Sequence, residues 1–128
     1  MPIDPEKALG YELEPSVGSW SNDDVILYHL GIGAGVPATS ENELEYTYEK
    51  NLKVLPSFGV CPVFGAIAGI AGTPGLEFNF AMLLHGEQDI EIHRPLPVAA
   101  EIESRGRVAE LWDKGKACLA VIELVTSA

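Results

Sequence analysis

The last third of this 128-residue chain contains two long stretches with the composition of β-strands, residues 99–111 and 117–126. Between them lies Asp113-Lys114-Gly115-Lys116, in which aspartate and glycine favour a tight turn. The pattern predicts a long antiparallel hairpin. Because an isolated hairpin is marginally stable in water, the preceding residues must supply further strands or a helix to cover one of its faces.

Two helices are predicted before this hairpin. Ser21 has the residue type of an N-cap, and Asp24 three positions later completes a capping pattern in front of an apolar run. This helix should continue to about Ile32, since closely spaced glycines and then Pro37 prevent continuation. Residues 63–71 are apolar all round and rich in glycine and alanine, which is compatible with a buried strand or a short buried helix, and we favour the helix.

Three further stretches have strand patterns. Residues 43–49 and 88–93 alternate between apolar and polar side chains, and residues 77–84 are mostly apolar. Residues 1–20 contain three prolines and no periodicity, which indicates an extended lead-in arm. Without an internal repeat or a linker, the sequence predicts a single α+β domain over residues 1–128.

The chain is acidic, with 8 lysines and arginines against 19 aspartates and glutamates and a formal charge of −11. This charge argues against binding to nucleic acids or to membrane surfaces, both of which are anionic. Residues 1–49 carry ten acidic residues and one basic residue, whereas residues 94–128 carry five of each. An anionic ligand is therefore best tolerated in the last third, which contains Arg94, Arg105, Arg107, Lys114 and Lys116.

The cysteines and the N-terminal residues indicate in which cellular compartment the protein is expected. Cys61 and Cys118 are 57 positions apart, a spacing that matches no metal-binding motif, and no two histidines are three to five residues apart. The first residues show no secretory signal, and no stretch has the length and apolar content of a membrane span. We therefore expect free thiols, no metal site and a cytoplasmic protein.

The three histidines are the candidates for acid–base chemistry. On one helix Asp24 and His29 would point about 140° apart, so they should not converge on one substrate. His93 ends a predicted strand and should be exposed. His85 follows an apolar run and precedes Gly86, which indicates either a bulge or close ligand approach, or simply a histidine at a strand end.

Four stretches together resemble one known family. They are residues 24–35 (DVILYHLGIGAG), 54–60 (VLPSFGV), 83–88 (LLHGEQ) and 111–115 (LWDKG), and they occur in the family's order. The chain is similar to the N-terminal half of the type 2, R-specific enoyl-CoA hydratases of the MaoC-like dehydratase family, with an opening like that of actinobacterial members acting on steroid side-chain or fatty enoyl-CoA esters. The resemblance implies a hot-dog fold, in which an antiparallel sheet wraps around a short central helix.

The resemblance also implies a division of labour between two hot-dog units. The C-terminal unit of the family carries an Asp, an Asn two positions later and a His five positions later, whereas Ile26 occupies the Asn position after Asp24 here. We therefore expect no catalytic residue in this chain and no cofactor. The resemblance assigns contacts with the coenzyme A (CoA) ester to His85, Gly86 and Lys114.

The resemblance further implies partners. A catalytic hot-dog unit, in the same or another chain, would supply the Asp/His pair within a homo- or hetero-oligomer. The family's sheet has one more strand after the position at which this sequence stops, so we expect its last strand to have an edge that another chain covers. Two alternatives remain: a hot-dog thioesterase that uses Glu87 or Asp89, and a binding or structural module of a larger assembly.

Overall fold

The computed structural model describes residues 3–128, in which short helices precede a long β-hairpin. Within this range the α-helices are α1 (Pro5–Ala8), α2 (Asn22–Gly31), α3 (Glu41–Leu44) and α4 (Phe64–Ile67). The 3₁₀ helices cover Pro56–Val60, Ala68–Gly72 and Phe80–Met82, and the strands are β1 (Ser16–Trp20), β2 (Ala100–Asp113) and β3 (Cys118–Ser127). No helix in residues 3–128 has the length and apolar character needed to cross a bilayer.

The three strands form one sheet in the order β1-β2-β3. β2 and β3 pair antiparallel from Glu103 opposite Ser127 to Asp113 opposite Cys118, with an irregularity between Val108 and Glu110. The predicted hairpin is therefore confirmed. In the described residues β3 pairs with β2 alone, and the coverage of its other edge by another chain stays a prediction.

The hairpin turn has the geometry that its sequence favours. Gly115 has φ +77°, a left-handed conformation that costs a glycine little. The Lys114 backbone N–H donates to the Ala117 carbonyl at 2.9 Å, and the Gly115 N–H donates to Asp113 Oδ1 at 2.7 Å. Aspartate and glycine thus hold Lys114 and Lys116 at the end of the hairpin.

The described chain divides into two compact units. The first comprises the described residues up to Val17 together with Val63–Gln88 and Ile102–Ser127, and its core contains Ala8, Ile70, Leu76 and Val108. The second comprises Gly18–Pro62, Asp89–Glu101 and Ala128. The two units are subdivisions of the described chain. That residues 1–128 form one domain stays a prediction.

The second unit is organised by α2 and an aromatic cluster. Asp24 Oδ2 accepts from the Ser21 N–H at 2.8 Å, which caps the helix at the predicted residue. The rings of Trp20 and Tyr28 each meet Phe58 edge to face, with centroids 5.6 and 5.5 Å apart. Such contacts add to the free energy gained by burying aromatic surface.

Two predictions about the first half of the chain are wrong. Residues 1–20 are not an extended arm throughout, because α1 and β1 lie in the described part of that segment. Residues 43–49 form no strand in the structure: α3 begins at Glu41, and turns follow it. The Ser40 carbonyl accepts from the N–H groups of Glu43 and Leu44, and glutamates in a first turn suit the helix dipole.

The strands predicted at 77–84 and 88–93 are also absent from the described residues. Asn79 Oδ1 accepts from the Ala81 N–H at 2.9 Å and starts a 3₁₀ turn instead. The side chains of Ile90 and Ile92 lie against Gly59 rather than on a sheet. The helix favoured at 63–71 is confirmed, although it changes from α to 3₁₀ after Ile67.

Candidate functional site

His85 and Gly86 lie in an irregular, exposed segment that follows the 3₁₀ helix Phe80–Met82. A Cβ added to Gly86 would meet no atom within 4 Å, so no neighbouring backbone in the described chain requires glycine here. Two of the alternatives for this position, a bulge and a histidine at a strand end, are wrong, since the segment belongs to no strand. Contact of His85 and Gly86 with a ligand stays a prediction.

An exposed apolar run comes immediately before His85. Met82 and Leu84 are 73% and 87% accessible, and Phe80 and Leu83 are about half exposed. Phe80 is held by a tilted ring contact with Phe78, at a centroid separation of 5.2 Å. His85 therefore adjoins a surface on which apolar groups can be buried.

Lys114 occupies the turn of the β2–β3 hairpin. Its Nζ lies 5.7 Å from the centroid of the Trp112 ring, within the range of a cation–π contact. Trp112 is half exposed, and its indole N–H donates to Glu110 Oε2 at 2.7 Å. Within residues 3–128 no carboxylate forms an ion pair with Lys114, so its ammonium group is available to an anion.

The three arginines of the last third are less available to an anion than Lys114. Arg107 pairs with Glu123 across the hairpin at 2.7 Å, and Arg105 pairs with Glu103. Arg94 donates to the Ala128 carbonyl at 3.3 Å. If the last third binds an anion, we therefore expect the anion at the turn that carries Lys114 and Lys116.

His85, Gly86 and Lys114 all belong to the first compact unit. Among the described residues, no hydrogen bond or ion pair joins His85 to Lys114. Their assignment to one binding site therefore stays a prediction that rests on the resemblance.

Asp24 and His29 have separate roles, as the helical spacing predicts. The backbone and hydroxyl of Ser21 both donate to Asp24, which holds the pKa of this carboxyl below its ordinary value. His29 is fully buried, with Nδ1 2.6 Å from the Tyr46 carbonyl oxygen and Nε2 accepting from the Leu55 N–H at 3.1 Å. Both ring nitrogens are thus occupied by the fold.

Sequence reasoning missed this role of His29. The partners Tyr46 and Leu55 are 17 and 26 positions away, so no local pattern points to them. The signal that was present is a histidine in a helix behind an apolar run. Such a histidine must find internal hydrogen-bond partners if it is buried.

The remaining candidate groups are exposed. His93 Nδ1 lies 3.6 Å from Glu91, and both side chains are more than 80% accessible. Glu87 and Asp89 lie in the same exposed stretch and form no side-chain hydrogen bond within residues 3–128. They therefore lack the burial and the partners that usually tune a catalytic carboxylate.

The cysteines are not paired with each other. Cys61 is exposed and Cys118 is half-buried, and both are free thiols. Neighbouring atoms still remove part of the water around the Cys61 thiol, and this desolvation raises its pKa and disfavours the reactive thiolate. Nowhere in residues 3–128 do three or more histidine, cysteine or acidic side chains form a group able to hold a metal ion.

Comparison with known families identifies the chain. Residues 19–128 match the model of the MFE-2 hydratase 2 N-terminal domain. The chain belongs to this family. The resemblance to the N-terminal half of a type 2 enoyl-CoA hydratase is therefore confirmed.

Curated relatives of this hydratase 2 N-terminal domain are larger proteins. The chain is 37% identical over 121 residues to enoyl-CoA hydratase ChsH3 of Mycobacterium tuberculosis, covering 93% of this chain and 42% of that protein. It is 38% identical over 123 residues to the peroxisomal enoyl-CoA hydratase 2 of Arabidopsis thaliana, covering 92% of this chain and 39% of that protein. The chain thus spans about two fifths of the length of these relatives.

A solved structure supports the fold. The crystal structure of a MaoC-like dehydratase from Phytophthora capsici matches 98% of this chain and 45% of that one, with a TM-score of 0.79 and 28% identity. The α+β hot-dog class expected from the resemblance is therefore confirmed for this hydratase 2 N-terminal domain. The described residues contribute a three-stranded antiparallel sheet and few helices to it.

Proposed function

We propose that this chain is the substrate-binding, non-catalytic half of an R-specific enoyl-CoA hydratase, which converts a 2-enoyl-CoA to a (3R)-3-hydroxyacyl-CoA. The observation that carries the proposal is the match of residues 19–128 to the N-terminal domain of hydratase 2. A catalytic unit, in the same or a partner chain, supplies the Asp/His pair.

The placement of the histidines supports the absence of a catalytic pair in these residues. General acid–base catalysis needs a titratable group within hydrogen-bond reach of the reacting atom. Both ring nitrogens of His29 are engaged inside the fold, and Asp24 caps α2. His85 and His93 are exposed, and the segment around them belongs to no helix or strand.

The hairpin turn supports a role in binding the CoA moiety. CoA carries several phosphate groups, and Lys114 is a flexible ammonium without an ion-pair partner in the described part of the chain. The open backbone at Gly86 leaves room for a ligand beside His85. The CoA thioester is the substrate, and the proposed reaction requires no cofactor.

The acyl group of the substrate is proposed to be fatty or of the steroid side-chain type. Both are apolar and need surface on which to be buried. The proposed assembly is a homo- or hetero-oligomer in which this unit shapes the acyl site and the catalytic unit performs the hydration.

Activity and binding measurements on the 128-residue chain test the proposal. We expect crotonyl-CoA and longer 2-enoyl-CoA esters to remain unhydrated by the chain alone, and hydration to appear when a hydratase 2 C-terminal half is added. Titration calorimetry should show that the isolated chain binds CoA esters. Hydration by the isolated chain, or hydrolysis with release of free CoA thiol, would contradict the proposal.

A further inference from the structure

A cleft of about 320 Å³ lies beside α2. The residues that line it are Ser19, Trp20, Asp24, Leu27, Tyr28, Phe58, Cys61 and Pro62. All eight belong to the second compact unit, so the cleft is defined within that unit alone. Its volume lies in the lower part of the range for small-molecule sites.

Aromatic and apolar side chains supply most of the lining. Trp20 and Phe58 are almost fully buried, and the Trp20 indole N–H donates to the Pro97 carbonyl at 3.0 Å, which holds the ring in place. Leu27 is largely exposed at the side of α2. A ligand in the cleft would therefore bury apolar surface of Leu27 that now faces water, against rings that are already fixed.

Asp24 carries the one formal charge among the eight lining residues. Its hydrogen bonds from the N–H and the hydroxyl of Ser21 both end on Oδ2. These bonds hold the pKa of Asp24 below its ordinary value, so the carboxylate is charged at neutral pH. Among the described residues no cation pairs with Asp24, and Oδ1 accepts no side-chain hydrogen bond. The cleft thus presents an unneutralised negative charge beside apolar walls.

The charge around the cleft has the same sign. Residues 18–62 contain six acidic residues and two lysines, and one of these lysines, Lys53, is paired with Glu45. A negative field of this kind attracts cations and repels anions. The phosphates of CoA are therefore disfavoured here, and the cleft calls for a ligand of the opposite charge.

We propose that this cleft binds an organic cation, with a guanidinium or ammonium group paired with Asp24 and an apolar body between Leu27 and the aromatic rings. The carboxylate supplies a charge-assisted hydrogen bond, and the apolar walls supply burial. The inference goes beyond the proposed function and does not depend on it, since CoA esters are anionic. The same chemistry recognises a small free cation and an arginine or lysine side chain of a binding partner.

Cys61 reports whether the cleft is occupied, because its exposed thiol belongs to the lining. In a Cys118→Ser background it is the only thiol of the chain, so the rate of its alkylation by iodoacetamide can be followed by mass spectrometry. A ligand in the cleft should slow this reaction. The probes are (2-phenylethyl)guanidinium, 2-phenylethanol and 3-phenylpropanoate, which carry the same ring with a positive, a neutral and a negative end.

The wild-type cleft should rank these probes by charge. We expect the guanidinium to protect Cys61 at a concentration at least about fivefold lower than the alcohol does, and the propanoate to protect it least. The advantage of the cation should shrink as salt is raised to about 0.5 M, because salt screens the ion pair. Equal protection by the guanidinium and the alcohol, or no protection by any probe, would overturn the proposal.

Two neighbouring aspartates provide a matched pair of variants. Asp24→Asn removes the charge but keeps a side-chain oxygen that can cap α2, so the advantage of the guanidinium should disappear while the alcohol binds as before. Asp23→Asn makes the same change one position earlier, outside the lining, and should keep the advantage within about twofold. Leu27→Ala should weaken the guanidinium and the alcohol alike. Equal losses in the two aspartate variants would overturn the role of Asp24.

A peptide distinguishes the two sources of the cation. Acetyl-Leu-Arg-Phe-amide presents a guanidinium between apolar side chains, as a binding partner would. Protection of Cys61 by this peptide at a lower concentration than by (2-phenylethyl)guanidinium identifies a partner's side chain as the occupant, and the reverse order identifies a small molecule. Because none of these probes contains CoA, failure of CoA esters to bind the chain would overturn the proposed function and leave this result unaffected.

Discussion

Two histidines of this chain occupy opposite environments. His29 is fully buried in α2 with both ring nitrogens hydrogen-bonded, whereas His85 lies in an exposed segment that belongs to no helix or strand. A buried polar group whose hydrogen bonds are all satisfied within the fold contributes to stability and is closed to solvent. An exposed histidine contributes little to stability and remains free to meet a ligand.

The same contrast separates the cations of the last third. Arg107 bridges β2 and β3 through Glu123, while Lys114 has no ion-pair partner in residues 3–128 and rests on Trp112. We therefore expect stability and ligand affinity to respond to different sets of substitutions. Substitutions of each kind test whether stability and affinity separate in this way.

The largest expected effect is that of His29→Ala on stability. It removes two hydrogen bonds, leaves the Tyr46 carbonyl and the Leu55 N–H without partners, and creates a cavity, so we expect a loss of about 2–4 kcal/mol in the free energy of unfolding. Urea unfolding followed by circular dichroism measures it. The matched control, His85→Ala, should lie within about 0.5 kcal/mol of the wild type. Equal losses in the two variants would remove the contrast between the histidines.

Lys114→Glu should weaken the binding of CoA about tenfold or more, because it replaces a charge-assisted hydrogen bond to phosphate with repulsion. Its effect on unfolding should remain within about 0.5 kcal/mol, since the side chain is exposed. Calorimetric titration at two salt concentrations measures the loss, which should shrink as salt screens the charge. Lys50→Glu makes the same charge change outside the hairpin and should leave the affinity within about twofold.

Gly86→Ala should have a smaller effect and one of mixed sign. No atom lies within 4 Å of the added Cβ. Alanine also lowers the conformational entropy of the unfolded chain relative to glycine, so the free energy of unfolding should stay equal or rise by up to about 1 kcal/mol. If a CoA ester contacts this backbone, the affinity should fall severalfold in the same titration. Unchanged affinity would remove Gly86 from the binding site, and a loss of stability would show that its backbone is constrained.

The smallest effect is expected from Asp24→Asn. The pKa of Asp24 is lowered in the folded chain by its hydrogen bonds to Ser21, so its stabilising effect is present above the ordinary value of 3.8 and is lost as pH falls through the lowered value. The wild type should therefore lose more stability than Asp24→Asn between pH 5 and pH 2, measured by thermal unfolding. Parallel pH profiles would show that Ser21 does not stabilise the charged carboxylate.

Several elements could be predicted from the sequence because their signals are local. Ser21 and Asp24 lie three residues apart and cap α2, and Asp113 and Gly115 close the hairpin turn. The pairing of β2 with β3 follows from that turn, because a tight hairpin sets the register of its strands. The resemblance then supplied the family, which the match over residues 19–128 confirms.

Strand predictions failed where residues 3–128 contain no partner strand. Residues 88–93 alternate like a strand, yet Ile90 and Ile92 pack against Gly59. The apolar run that ends at Leu84 is exposed rather than buried in a sheet. Alternation records which side chains share a face, and it does not record whether another strand is available to pair with.

The sequence by itself determined the capped helix, the hairpin and its turn, the family, and the concentration of cations in the last third. Those properties depend on residues close in the chain or on composition. Only the tertiary structure decided that His29 is held by Tyr46 and Leu55, and that Arg107 is paired while Lys114 has no partner among the described residues. These contacts join residues far apart in sequence, and burial, which decides their strength, is a property of the folded chain.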